Sequence, residues 1–78
     1  MAIWIQIEKR DEDSSSVHYE FGWVDRFVGM VVIHKDTGEV DVLELYEDCG
    51  ERIVQRTRRR LQQHFEAGEF PDDTAYRA

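Results

Sequence analysis

The sequence predicts an α+β fold, a four-stranded antiparallel β-meander with one C-terminal α-helix packed across one face (ββββα) and a short ordered or docked tail. Apolar residues recur at every second position in several stretches before about residue 46, which is typical of strands buried on one side. The period then lengthens to about three and a half residues, which is typical of an amphipathic helix. A chain of 78 residues supplies one hydrophobic core, so we predict a single domain over 1–78.

The first two strands are predicted over about 2–9 and 16–22. In the first, isoleucine occupies every second position from Ile3 to Ile7, and polar residues or Trp4 lie between. The acidic and serine-rich run between the two strands has no apolar residue to bury, so we interpret it as a solvated hairpin loop.

The third and fourth strands are predicted over about 27–34 and 39–46. The turn between them is the clearest in the chain, because Gly38 can adopt the positive φ of a three-residue loop with a bulge. A loop of that length places Val31 opposite Leu43. The same register, two residues further from the turn, places Gly29 opposite Leu45.

The helix is predicted over about 49–67 and the tail over 68–78. Asp48 is a suitable N-cap, and Glu51 follows three residues later as the partner of a capping box. Gly68 then favours the end of the helix, and a proline follows soon after. Short connections favour pairing between consecutive strands, which leaves the helix to cover one face of the meander.

The third strand is apolar on both sides, whereas one helix covers only one face of a sheet. The second face must then be covered by the tail, by another copy of the chain or by a different protein. We predict self-association through this face, with coverage by the tail as the alternative. The predicted apolar interface consists of Trp4, Val28, Met30, Val32, Val40 and Val42.

Charge is segregated along the chain, whose net charge is −7. Residues 1–48 carry 12 acidic and 4 basic side chains, whereas 49–67 carry 2 and 5. On a helical wheel, Arg58 lies apart and the other helix arginines form a stripe on the solvent side. The candidate stripe for a charged partner is Arg52, Arg56, Arg59 and Arg60. Guanidinium groups in this arrangement are suited to bind phosphates or an acidic protein. The alternative is that the stripe is only a solvent-exposed helix face, as runs of charged residues usually are.

No pattern indicates catalytic, cofactor-binding or metal-binding residues, and we predict that the protein is not an enzyme. His18, His34, Cys49 and His64 are about fifteen residues apart, and none forms the local pair that brings two metal ligands together. Cys49 is predicted in the first helical turn, where the helix dipole favours a reactive thiolate. A buried, inert cysteine is the alternative.

The chain has one cysteine, no signal-peptide pattern and no apolar stretch near the roughly 20 residues that span a bilayer, so we predict a cytoplasmic protein without a membrane partner. We predict a small protein-interaction or accessory protein whose partner is itself or another protein. One alternative is a nucleic-acid-associated regulator that uses the arginine stripe, although an acidic chain disfavours nucleic acid. Another is an acidic inhibitor or immunity-type protein that binds a basic protein. No small-molecule substrate is indicated.

Overall fold

The structure, a computed structural model, describes residues 4–77. One α-helix packs across one face of a five-stranded antiparallel sheet, so the predicted α+β class is confirmed. No helix within the described range is long and apolar enough to cross a membrane. In chain order the elements are β1 (Trp4–Glu12), β2 (Ser16–Gly22), β3 (Phe27–His34), β4 (Val40–Leu45), α1 (Glu51–Glu66) and β5 (Asp73–Arg77). In the sheet the strand order is β4-β3-β2-β1-β5.

The strand β1 continues further than the sequence predicts. Asp11 pairs with His18 and Glu12 pairs with Val17, so part of the acidic run belongs to the ladder. A tight turn follows, in which the Oδ1 atom of Asp13 accepts backbone N–H bonds from residues 15 and 16, each at 2.8 Å. The interpretation of this whole run as a solvated loop is therefore wrong. The predicted start of the strand, including Ile3, lies outside the described residues.

The tail forms a fifth strand, which the predicted four-stranded meander lacks. β5 pairs with β1 from Trp4 opposite Arg77 to Glu8 opposite Asp73. A side chain of the core holds the approach to β5, because the buried Tyr19 hydroxyl donates a hydrogen bond of 2.9 Å to the Pro71 carbonyl. The first strand of the chain is thus an inner strand of the sheet.

The β3–β4 turn has the predicted glycine and a different register. Gly38 has a φ of 78°, and its N–H donates to the His34 carbonyl at 2.8 Å. The loop shifts the pairing by one residue, so Val31 lies opposite Val42 and the predicted partner Leu43 is wrong. Leu43 is the extra residue of a β-bulge. The bulge restores the predicted pairing of residue 29 with residue 45.

The core lies between the sheet and α1, which buries Ile53, Thr57 and Leu61. These three positions share one side of the helix because they are four residues apart. The buried hydrophobic cluster comprises Ile5, Ile7, Val17, Tyr19, Phe21, Val28, Val31, Ile33, Val40, Ile53 and Leu61.

The helix is shorter at its start than predicted. Gly50 is the N-cap residue, with a φ of 80° and no side-chain cap, so the predicted Asp48 cap and its capping box are wrong. Gly68 follows the helix with a φ of 76°, and the Glu69 N–H donates to the His64 carbonyl at 3.0 Å. The predicted glycine stop is confirmed.

Candidate functional site

The predicted apolar interface divides between the two sides of the sheet. Met30 and Val32 pair with Glu44 and Asp41, and these four side chains lie on the second face, away from α1. The pairing of β1 with β2 and β5 places Trp4 on the same face. This half of the prediction describes one surface.

The other three predicted residues lie on the helix side. Val28 is fully buried and Val40 is 5% exposed, and both belong to the core, so their predicted place on the second face is wrong. Val42 also lies on the helix side, because it pairs with the core residue Val31. Irregularities in the β2–β3 and β3–β4 ladders, the second at Leu43, reverse the alternation that a regular strand would have.

Charged groups cover much of the second face. Arg10 donates to Glu20 at 2.8 Å and lies over the Phe27 ring, 5.1 Å from its centroid. The Tyr46 hydroxyl donates to the same glutamate at 2.8 Å. Self-association through this face stays a prediction, and its apolar area is smaller than the sequence indicates.

A cluster of exposed apolar side chains lies instead at β4, at one end of the sheet. β4 pairs with β3 on one side and has no strand on its other side within the described chain. We call the exposed large side chains of this strand and of the residue that follows it the β4 edge: Val42 (38%), Leu43 (51%), Leu45 (48%) and Tyr46 (44%).

The β4 edge also has main-chain groups that face away from the sheet. Arg58 Nε donates to the Val40 carbonyl at 3.1 Å, so that carbonyl points away from β3. Antiparallel pairing alternates with a period of two, which directs the N–H and C=O groups of Val42 outward as well. Beyond the bulge, the Tyr46 N–H donates to the Val28 carbonyl, so the outward groups there belong to Leu45.

A cleft of about 400 Å³ adjoins the β4 edge at the start of α1. It is lined by the apolar Leu45 and Val54 and by the charged Asp48, Glu51 and Arg58. On the other side of the strand, Asp41 and Glu44 project from the second face. A strand added here would therefore meet apolar groups on one side and carboxylates on the other.

The four arginines of the predicted stripe differ in their surroundings. Arg60 Nε donates to Thr74 Oγ1 at 3.3 Å, and Arg60 Nη1 donates to Gln63 Oε1 at 3.1 Å. The Arg56 guanidinium lies 5.8 Å from the Tyr76 ring centroid. Arg52 is exposed, as is Arg59.

The structure places a further arginine, Arg77 of β5, on the second face of the sheet. Arg77 pairs with Trp4, and its guanidinium lies over the Trp4 ring, 4.1 Å from the centroid. A cleft of about 420 Å³ lies between α1 and β5, and we call it the basic cleft; it is lined by Arg59, Arg60, Gln63, Ala75, Tyr76 and Arg77. Because the Arg77 guanidinium lies against Trp4 on the opposite face, Arg59 and Arg60 supply the guanidinium groups of this cleft.

Ion pairing divides the basic residues into two groups. Lys9, Arg10, Arg26 and Lys35 each lie within 4 Å of a carboxylate. Within residues 4–77, no arginine from position 52 onward forms such a pair. The basic cleft thus keeps its charge although the chain is acidic.

Cys49 does not have the environment of a reactive thiol. It precedes the N-cap, so its predicted place in the first helical turn is wrong. Burial raises the pKa of the Cys49 thiol, and the nearby Asp48 and Glu47 charges raise it further. Across the described part of the chain, no group of three or more His, Cys, Asp or Glu side chains is placed to hold a metal ion.

Two of the three histidines have hydrogen-bond partners, and Trp23 packs against the core. His64 Nδ1 lies 2.9 Å from Glu69 Oε1, and its Nε2 lies 2.8 Å from Thr74 Oγ1. His34 Nε2 lies 3.0 Å from a carboxylate oxygen of Asp41. Trp23 is half-buried against the core, which disfavours its use as an exposed anchor.

Comparisons with protein-family models, curated proteins and solved structures found no match to this chain.

Proposed function

We propose that this chain is a small protein-interaction or accessory protein that binds an extended segment of a partner along the β4 edge. The observation that carries the proposal is the combination, on one strand, of three exposed large apolar side chains with outward main-chain groups, and a fourth such side chain, Tyr46, directly follows the strand. Exposed, apolar edge strands favour pairing with another chain, and peptide recognition by strand addition uses the same groups.

The two sides of β4 define the chemistry of the partner. Val42 and Leu45 lie toward α1, so the facing positions of the added strand should be apolar. Asp41 and Glu44 lie on the second face, so the alternate positions should be basic. The preferred partner segment is therefore extended, with alternating apolar and basic residues. An acidic inhibitor of a basic protein is one form of this function.

Charge disfavours a second copy of β4 as the occupant. Antiparallel pairing of two β4 strands would bring Asp41 and Glu44 of one copy near the same carboxylates of the other. Self-association through the second face remains a separate prediction. Light scattering across a range of concentrations tests it, and a strict monomer would contradict it.

Fluorescence anisotropy with two labelled eight-residue peptides tests the proposed site. One peptide alternates valine and lysine, and the other alternates valine and glutamate. We expect the basic peptide to bind, and Glu44→Lys to weaken its binding about tenfold and to improve binding of the acidic peptide, because a facing charge changes sign. Equal affinity of both peptides, or no effect of the substitution, would contradict the proposal.

Two further variants separate the edge from general apolar surface. Leu43→Asp places a charge on the β4 edge, whereas Val24→Asp does so at a position that is 67% exposed and lies outside β4, in the turn between β2 and β3. We expect only Leu43→Asp to weaken binding. Val42→Pro removes an outward N–H that the sheet itself does not use, so loss of binding with a retained circular dichroism spectrum would identify main-chain pairing.

A further inference from the structure

The geometry points to a second interaction surface: we propose that β5 pairs with β5 of a second copy of this chain, in an antiparallel arrangement centred on Ala75. β5 pairs with β1 on one side and has no strand on its other side within the described chain. An unpaired edge strand is a template for pairing with another strand. β5 lies at the opposite end of the sheet from β4, and the inference does not depend on the proposed peptide binding.

The main-chain groups of β5 select the register of such a pair. The Lys9 N–H donates to the Asp72 carbonyl at 2.8 Å, so that carbonyl points toward β1. Antiparallel pairing alternates with a period of two, which directs the N–H and C=O groups of Asp73, Ala75 and Arg77 outward. Two copies can exchange hydrogen bonds where outward residues lie opposite each other. A pair centred on Ala75 meets this condition at all of these positions and allows about six main-chain hydrogen bonds.

The same register is self-complementary in charge. It places Asp73 of each copy opposite Arg77 of the other, and both residues lie on the second face because they pair with Glu8 and Trp4. Opposite charges at facing positions of neighbouring strands stabilise a sheet. Two copies of β4 would instead bring carboxylates together. Charge therefore favours a second copy at β5 and opposes one at β4.

The two charged groups of β5 lack ionic partners in their own chain. Within residues 4–77, neither Asp73 nor Arg77 has an oppositely charged group within 4 Å. Asp73 lies opposite a like charge, Glu8, on its β1 side. The Arg77 guanidinium lies over the Trp4 ring, a contact that uses the face of the guanidinium and leaves its edge donors available. A second copy would supply both missing partners, because each Arg77 would lie between its own Trp4 and Asp73 of the other copy.

The helix side of the joint limits the strength of the dimer. Arg56 packs over the Tyr76 ring and Arg60 donates to Thr74, so two copies would bring basic groups of both helices toward the joint. Two chains of net charge −7 also repel each other. Salt at about 0.15 M screens this repulsion but does not remove main-chain hydrogen bonds. Because a joint of two short strands buries little surface, we expect a weak, concentration-dependent dimer with one β4 edge at each end of a continuous sheet.

Sedimentation velocity between about 10 μM and 1 mM protein, at about 0.15 M salt, tests this dimer. We expect the parent chain to pass from monomer to dimer across this range. Asp73→Arg and Arg77→Asp should each weaken dimerisation about tenfold or more, because symmetry doubles each change and attraction becomes repulsion. An equimolar mixture of these two variants restores opposite charges at the facing positions, so it should form a mixed dimer. Ala75→Pro removes an outward N–H that the sheet itself does not use, so it should abolish the dimer with a retained circular dichroism spectrum.

Two control variants separate this joint from other modes of association. Asp25→Arg makes the same charge change at an exposed position in the turn between β2 and β3, and Met30→Lys places a charge on the second face at β3. Both should dimerise as the parent chain does. A strict monomer at every concentration, an equal loss in Asp25→Arg or a mixture that stays monomeric would overturn the proposal. So would a dimer that Met30→Lys abolishes and Ala75→Pro leaves intact, because that result places association on the second face. Ala75→Pro changes no charge, which keeps the test valid if the Arg77 variant folds poorly.

Discussion

Tyr19→Phe tests how the last strand is held on the core. The Tyr19 ring is fully buried, and its hydroxyl donates to the Pro71 carbonyl at 2.9 Å. A hydrogen bond of this kind contributes about 1 kcal/mol to stability, so the variant should lower the folding equilibrium constant about fivefold at neutral pH. The main-chain segment before β5 loses its bond to the core in this variant.

The same substitution should change how stability depends on alkaline pH. Burial raises the pKa of Tyr19 far above its ordinary value of 10.0, and the charges of Glu12 and Asp72 raise it further. The folded state therefore favours the neutral phenol. The stabilisation is complete below about pH 10, where the unfolded phenol is also neutral, and is lost as pH rises from the unfolded pKa toward the folded pKa. One proton gives a slope of at most about 1.4 kcal/mol per pH unit.

Urea unfolding followed by tryptophan fluorescence at pH 7 and at several values between pH 9 and 11 measures both effects. We expect Tyr19→Phe to be less stable at pH 7 and to lose less stability above pH 10 than the parent chain. Tyr46→Phe is the control at pH 7. The Tyr46 hydroxyl also donates a hydrogen bond, to Glu20, but Tyr46 is 44% exposed and not buried in the core. Unchanged stability of Tyr19→Phe at pH 7 would refute this reasoning. So would an equal loss of stability above pH 10 in Tyr19→Phe and in the parent chain.

Three further predictions concern local structure. Gly38→Ala should destabilise the fold by about 1–3 kcal/mol more than Gly68→Ala in urea unfolding, because both glycines have positive φ but only at Gly38 would a Cβ lie 2.6 Å from the Phe65 ring. Thr57→Val should raise the midpoint of thermal unfolding, because the Thr57 hydroxyl is buried and has no hydrogen-bond partner in the described range. Hydrogen bonds from the N–H groups of residues 15 and 16 lower the pKa of Asp13 to about 2. The stabilisation of the fold by the ionised Asp13 carboxylate is therefore complete above about pH 4 and is lost as pH falls through about 2. Acid titration followed by circular dichroism should show a smaller change in that interval for Asp13→Ala.

Local patterns predict the elements that depend on local interactions. The bounds of the second and third strands, 16–22 and 27–34, match the prediction because β2 alternates apolar with polar residues, β3 is apolar throughout most of its length, and polar turns bound them. Gly38 adopts positive φ as predicted and Gly68 follows the end of the helix as predicted, since backbone conformation at a turn or helix end depends on nearby residues. The α1 stripe follows from its spacing in the same way.

The features that the sequence analysis missed depend on distant pairing or on strand irregularities. β5 contains one large apolar residue, Tyr76, so it has no strand pattern of its own and forms by pairing with β1. The bulge at Leu43 has no signature in the amino-acid composition of β4. It nevertheless reverses which face of the sheet the side chains on either side of it occupy. The predicted interface failed at Val40 and Val42 on this strand, and at Val28 beside the irregularity in the β2–β3 ladder.

The ladder between β1 and β5 joins the most distant parts of the described chain, with Trp4 opposite Arg77. Closing so long a loop costs chain entropy, which opposes this pairing. The hairpins between consecutive strands from β1 to β4, and α1, form by closing shorter loops. The β4 edge lies at the opposite end of the sheet from this ladder. A chain in which β5 has not yet paired can therefore already present the β4 edge to a partner.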